Sequence, residues 1–159
     1  VTMKPPLKDL RFEPFHELEA LDVYEVLKLR AQIFVVEQSC VYLDPDDIDL
    51  DSFHLLLREQ GRLIAYLRCV PPGVSYPAES SLGRIVVCTS QRGRELGRAL
   101  VREGIERNFE LWPQAAIKIS AQAYLQGFYE SLGFCSCSSI YLEDGIEHLA
   151  MMISSTGRD

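Results

Sequence analysis

An apolar run, Leu82-Gly-Arg-Ile-Val-Val-Cys88, passes through a polar turn into a helical pattern over residues 94–109. Gly97, Leu100, Val101, Gly104, Ile105 and Phe109 fall on one side of that pattern, with the glycines placed for close packing on a sheet. A strand that runs directly into a helix needs further strands for the helix to cover, so this stretch limits the fold more than any other. A second unit of the same kind follows: a short strand at 116–120, then a helix at 124–132 closed by Gly133. Hairpins surround the two units. Strands at 53–58 and 62–70 are joined by Gln60-Gly61, and strands at 134–142 and 146–153 by Asp144-Gly145. Residues 7–13 read as a first strand, and Asp22 with Glu25 reads as a capping box for a helix that reaches about Val36. Hairpins mixed with two strand-to-helix crossovers predict a single α/β domain over residues 1–159, with a sheet of mixed direction.

Bulk properties exclude several function classes. The formal net charge of −7 disfavours nucleic acid as a partner, because phosphate binding needs a basic face. No apolar run reaches membrane-spanning length, which argues against a membrane protein. Residues 1–6 contain a lysine but no following apolar stretch, so neither a signal nor a transit peptide is read there and a cytoplasmic location is expected. The five cysteines, at 40, 69, 88, 135 and 137, include no C-x-x-C pair and stand apart from the histidines. They read as reduced thiols, with Cys135 and Cys137 filling core on one face of a strand. Five aspartates lie between Asp44 and Asp51, but a calcium loop starting at Asp47 would need a glycine and a glutamate where Ser52 and Arg58 stand. No metal is expected. The loop reads as a solvated acidic segment or as an attractor for a cationic substrate.

The start of the 94–109 helix is a candidate anion site. Free backbone N–H groups and the positive end of the helix dipole converge there, and Arg92, Arg94 and Arg98 add charge. Neither G-x-x-x-x-G-K-[ST] nor a G-x-G-x-x-G after a strand is present, which excludes the two commonest nucleotide loops. A second oddity lies in the first helix, where Arg30 interrupts the apolar stripe of Val23, Val26, Leu27, Ile33 and Phe34. Its guanidinium either snorkels to solvent or meets an anion, from Glu37 or from the acidic segment.

The segment Ala121-Gln-Ala-Tyr-Leu-Gln-Gly-Phe-Tyr-Glu-Ser-Leu-Gly-Phe134 ends in F-Y-x-x-x-G-F. With Arg92 and Gly97 it resembles the GNAT superfamily of acetyl-CoA-dependent N-acetyltransferases. Glu95 departs from that pattern, standing where the superfamily usually has a glycine. Leu29-Arg-Ala-Gln-Ile-Phe-Val-Val-Glu-Gln38 and Glu143-Asp-Gly-Ile-Glu-His148 look like the ElaA-like branch, so the resemblance spans nearly the whole chain.

The resemblance implies a twisted mixed sheet flanked by helices and splayed between its fourth and fifth strands. Acetyl-CoA would lie in the gap, with the backbone of Ile85, Val86 and Val87 against the pantetheine. Arg92, Gly93, Arg94, Glu95, Leu96, Gly97 and Arg98 would wrap the pyrophosphate, and Gln122 would bond the pantetheine. Tyr129 would protonate the departing thiolate, and Glu37 would serve as base or acceptor contact. Arg30, Asp49, His54 and His148 would stand on the acceptor side. The acceptor would be a small-molecule or peptide amine, cationic at neutral pH, attacking the thioester directly, and a homodimer is allowed. The rival expectation is a regulatory pseudoenzyme that binds acyl-CoA without turnover.

Overall fold

Two antiparallel sheets meet at one point. In the computed structural model, which describes residues 7–157, the first sheet runs in the order β1 (Asp9–Pro14), β2 (Phe53–Glu59), β3 (Arg62–Val70), β4 (Ser81–Val87). In the second sheet β8 (Ile146–Ile153) lies between β5 (Ile117–Gln122) and β6 (Cys135–Ser136), and β7 (Tyr141–Glu143) also pairs with β8. The sheets touch where Ser80 and Ile117 form one parallel bridge. There Ser80 N–H donates to Ala116 O at 3.0 Å and Lys118 N–H donates to Ser80 O at 2.9 Å. Beyond that bridge β4 and β5 belong to separate sheets, which gives the splay between the fourth and fifth strands.

A bulge turns β4 away. The register with β3 jumps from Tyr66↔Val86 to Arg68↔Gly83, so Leu67 faces both Arg84 and Ile85, and Arg84 sits at φ +53°. An extra residue on one strand bends it and increases its twist. The vertex is fixed from below by Asn108, fully buried, whose Nδ2 donates to Ser80 Oγ at 3.0 Å and to Ser81 O at 3.1 Å.

Helix α1 (Ala20–Arg30) covers one face of the first sheet and continues as a π-helical turn, Ala31–Glu37. Its Val26, Leu29 and Ile33 pack with Leu56, Tyr66 and Val86. A short helix, α2 (Ile48–Asp51), follows. The opposite face of the sheet carries α3 (Leu96–Leu111), whose Leu100, Val101 and Ile105 join Leu67, Leu82 and Ile117 in the larger core. Helix α4 (Gln126–Glu130) packs beside it, with Tyr129 and Phe134 in the same core. No helix among the described residues is long and apolar enough to cross a membrane.

Several local expectations need correction. The first helix begins one residue after Glu19, whose N–H donates to Asp22 at 3.0 Å, so Asp22 stands at the third helical position and is not the cap. The strand expected at 134–142 breaks into β6 and β7, and Cys135 and Cys137 are exposed instead of filling core. Residues 1–6, read as lacking a leader sequence, lie outside the described residues. The two glycines of α3 also differ. A Cβ on Gly104 would meet Leu67 at 2.9 and 3.1 Å and Leu82 at 3.2 Å, whereas one on Gly97 meets only Val87 at 3.9 Å.

Gly104→Ala is therefore expected to lower the unfolding free energy by about 1–2 kcal/mol, overpacking outweighing the better helix propensity of alanine. Gly97→Ala should lower it by nothing measurable. Urea titrations of both variants check this contrast, and equal stabilities would remove the packing role of Gly104.

Candidate active site

The divergence of β4 and β5 opens a cleft of about 940 Å³, with Gly83–Val87 on one wall and Ile119–Gln122 on the other. Phe34 and Glu37 of the π-helical turn close one side, and Glu143 and His148 the other. Backbone direction along β4 follows from one bond. Cys88 N–H donates to Ile64 O at 2.8 Å, so in an antiparallel ladder Val86 bonds Tyr66 while Val87 turns its peptide groups toward the gap. Val86 lines the cleft, yet its backbone is committed to β3, which corrects the expectation that all three residues from Ile85 to Val87 offer it to a ligand.

Past the end of β4 a 3-10 turn, Thr89–Gln91, leads to Gly93 at φ +82° and Glu95 at φ +61°, and α3 starts at Leu96. The left-handed conformation at Glu95 is one that glycine adopts without cost and other L residues at about 1–2 kcal/mol. A residue strained in its backbone conformation thus stands where the superfamily usually has a glycine. Arg92 reaches Glu37 at 2.7 Å, Arg94 pairs with Glu59 at 3.0 Å and with Gln91, and Arg98 pairs with Glu95 at 3.2 Å. These pairs are partly solvated and worth little individually, so an incoming phosphate can replace them.

Tyr129 stands on the β5 side of the cleft and is almost buried, its ring at 5.1 Å from that of Phe128 and 5.7 Å from that of Phe134. The turn behind it is closed by Phe134 N–H donating to Tyr129 O at 3.1 Å, with Gly133 at φ +102°. Burial, reinforced by nearby Tyr124, pushes the Tyr129 phenol up to about 12, so it stays protonated at neutral pH.

Residues 44–155 match the acetyltransferase (GNAT) domain family. The chain belongs to the GNAT acetyltransferase family. It is 38% identical over 142 residues to a UPF0039 protein of Synechocystis, covering 89% of this chain and 92% of that one. The ElaA protein of Escherichia coli K12 is 36% identical over 137 residues, 85% of this chain and 89% of its own, and the crystal structure of E. coli ElaA superposes with a TM-score of 0.84. An acyl-CoA N-acyltransferase from Pseudomonas aeruginosa superposes with a TM-score of 0.86 at 36% identity, covering 91% of this chain and 97% of that one.

Within the GNAT cleft the expected residues divide into two groups. Glu37, Arg92, Val87, Gln122, Tyr129 and His148 come together around the gap. Arg30, Asp49 and His54 do not. Arg30 is 1% exposed, and its Nε donates to Asp44 at 2.8 Å and its Nη1 to Asp49 at 2.8 Å. Asp49 also accepts from Arg68 at 2.8 Å, and Arg68 grips Asp46 at 2.6 Å. Arg84, presented by the bulge, pairs with Asp44 at 2.8 Å and Asp46 at 3.4 Å. Three arginines and three aspartates neutralise one another, Arg30, Asp44 and Asp49 behind the wall of the cleft and Arg68, Arg84 and Asp46 in its lining, so the charges of Arg30 and Asp49 are matched within the protein. The acidic loop correspondingly turns Asp44 and Asp49 inward instead of presenting them to a cation. The anion of Arg30 comes from this loop, and Glu37 serves Arg92.

His54, 2% exposed, is equally occupied. Its Nε2 lies 2.8 Å from Asp49 O, which can only accept, so Nε2 carries the proton and Nδ1 accepts the Tyr66 hydroxyl at 2.6 Å. Burial holds this imidazole below its ordinary value, against the bond to the Asp49 carbonyl, and it stays neutral. The roles expected for Arg30, Asp49 and His54 at the acceptor are therefore corrected to support of the wall. Residues that sequence reading missed include Arg68, Arg84 and Asn108. Asn108, a lone polar side chain on the apolar face of α3, was the available signal. Among the described residues no group of three or more His, Cys, Asp or Glu is placed to hold a metal ion.

Burial raises the pKa of Asp49, but the bonds and charges of Arg30 and then Arg68 outweigh it and hold the carboxyl below the ordinary range. Its contribution to stability is complete above the unfolded value of about 3.9 and is lost as pH falls through the depressed folded value. Asp49→Asn should cost about 3–5 kcal/mol at pH 7, because two buried guanidinium groups lose a charge partner. The variant should also lose part of the acid limb below pH about 4. Urea unfolding at several pH values measures both, and a loss under about 1 kcal/mol would show that the network is not needed for the wall.

Proposed function

We propose that this protein transfers the acetyl group of acetyl-CoA to an amine. The observation that carries the proposal is the gap itself. It brings a backbone edge at Val87, Arg92 from the loop before α3 and a buried protonated tyrosine to one cleft, with Arg94 and Arg98 outside its lining at the start of that helix. The Pseudomonas relative, described as an acyl-CoA N-acyltransferase, supports an acyl-CoA donor. The loop from Arg92 to Arg98 would hold the pyrophosphate through backbone N–H groups and exchangeable arginines. Val87 N–H would polarise the thioester carbonyl, and Gln122, at the end of β5, would meet the pantetheine amides.

In the reaction the amine nitrogen forms a bond to the carbonyl carbon while the carbon–sulfur bond breaks, and the nitrogen of the new amide releases its remaining extra proton to solvent. Tyr129 gives its proton to the leaving thiolate and regains one from solvent. Glu37 forms part of the cleft side and holds Arg92 in place, acting as a contact for the acceptor when phosphate draws Arg92 away. The charge of the cleft favours a cationic acceptor. Asp46 is matched by Arg68 and Arg84 and Glu37 by Arg92, whereas among the described residues neither Glu143 nor Asp144 has an arginine or lysine in ion-pair contact.

Tyr129→Phe is expected to lower kcat on the order of a hundredfold while changing acetyl-CoA affinity less than about twofold, since the hydroxyl acts only as the thiolate departs. Free-thiol release and calorimetry measure the two quantities. A fall in kcat below about threefold, with chemistry rate-limiting, would remove Tyr129 as the acid. An unchanged melting temperature at saturating acetyl-CoA would remove the donor assignment.

A further inference from the structure

Opposite Val87, on the face of the second sheet that lines the cleft, β5, β7 and β8 bring four polar side chains into contact. Tyr141 pairs directly with His148 in the β7–β8 register, and His148 pairs with Gln122 in the β5–β8 register. The Tyr141 hydroxyl lies 2.6 Å from Ser120 Oγ, which lies 3.2 Å from Glu143 Oε2. That same Oε2 lies 3.3 Å from His148 Nε2. The Tyr141 and His148 rings stack at 6.3 Å. The chain is directional: tyrosine donates to serine, serine donates to glutamate, and glutamate faces the imidazole.

His148 is 8% exposed, and its Nδ1 lies 2.7 Å from Ile146 O. A carbonyl can only accept, so Nδ1 carries the proton in the neutral ring. Nε2 then turns a lone pair toward a carboxylate oxygen, two acceptors facing one another. One added proton satisfies both. The place for a single proton between Nε2 of His148 and Oε2 of Glu143 is thus built into the strand register, and both residues line the cleft that Val87 and Tyr129 share.

We propose that the pair His148 and Glu143 takes the proton from the acceptor ammonium, an assignment that rests on the acetyl-transfer reading. The ammonium N–H bond breaks and its proton moves to the pair, leaving imidazolium against carboxylate, and the free amine lone pair then attacks the carbonyl. The proton passes to water as product leaves. The positions of the acid and the base divide the cleft, with Tyr129 serving the thiolate and His148 the amine. Charged and titratable groups facing the pair are Tyr141 on β7, Asp144 in the hairpin turn and Tyr76 in the loop before β4. Tyr76 senses Tyr141 and Glu143, in that order, after its own burial. From β5 the groups facing the pair are the uncharged Ser120 and Gln122, while Lys118 is turned to the Tyr76 ring at 4.8 Å.

The test compares two small amines with acetyl-CoA as donor: butylamine, a cation at neutral pH, and 2,2,2-trifluoroethylamine, largely neutral there. His148→Gln and Glu143→Gln should each lower the butylamine rate on the order of a hundredfold and the trifluoroethylamine rate far less, because only the cation must be deprotonated before attack. The ratio of the two rates should fall at least about tenfold. Equal losses for both amines, or no loss for either, would overturn the assignment. Glu143 is half-exposed on β7, so its variant keeps the test valid if His148→Gln fails to fold. A second arm needs no turnover. Imidazole nitrogen NMR of the wild-type protein should show neutral His148 as the Nδ1–H tautomer, and a predominant Nε2–H tautomer would overturn the assignment. Absence of turnover with both amines, despite a normal acetyl-CoA thermal shift, would count against acetyl transfer and leave the tautomer to decide the pair.

Discussion

The structure depends on two strands that begin together and then separate. A single parallel bridge at Ser80 and Ile117 holds β4 and β5 at their base, and the bulge at Arg84 carries β4 away. Separation of neighbouring strands leaves backbone groups without sheet partners, which is costly unless water or a ligand supplies them. The same event therefore creates both the space and the hydrogen-bonding edge that an amide-bearing ligand needs. Asn108 under the vertex and Gly104 one turn earlier on α3 fix how near the helix lies and hence where the separation starts.

The bulge has a second effect, because it presents Arg84 to the buried charges behind the wall. Arg30, Arg68 and Arg84 bind Asp44, Asp46 and Asp49 across α1, the acidic loop and the first sheet. Four of these charges, on Arg30, Arg68, Asp44 and Asp49, are buried, which is tolerable only because each is matched and hydrogen-bonded, so removing one partner costs more than the pair itself contributes. The network ties the π-helical turn carrying Glu37 to the bulged strand carrying Val87. His54 and Tyr66 extend it toward α2, with a neutral imidazole enclosed between a carbonyl and a hydroxyl.

Much of this was legible in the sequence, and the failures have physical causes. The strand-helix units were readable because apolar periodicity changes from two to 3.6 at Cys88 and again at Ser120, and both hairpin turns carry residues suited to positive φ. The splay itself came only through the family resemblance, since no periodicity reports a missing strand pairing. For Arg30 the sequence left open whether it snorkels to solvent or meets an anion from Glu37 or the acidic segment, and the structure shows the acidic segment supplying it. Its partners could not be chosen, because Asp44 and Asp49 lie 14 and 19 residues away and sequence distance does not encode which carboxylate turns inward. Asp49 and His54 were assigned to the acceptor because their chemistry suits it, and burial decided otherwise. On the second sheet, Ser120, Tyr141 and His148 share a cleft-lining face through strand register, which is fixed only once β7 and β8 are paired.

On the proposed function, the opened edge of β4 and the start of α3 form one binding surface for acetyl-CoA. Backbone amide NMR during titration with acetyl-CoA tests that claim most directly. The largest shifts should fall on Val87, on residues 92–97 and on Gln122 across the gap, with Val86 moving less because its amide is committed to β3. Shifts confined to α1 and α2, or no shifts at saturating ligand, would contradict it.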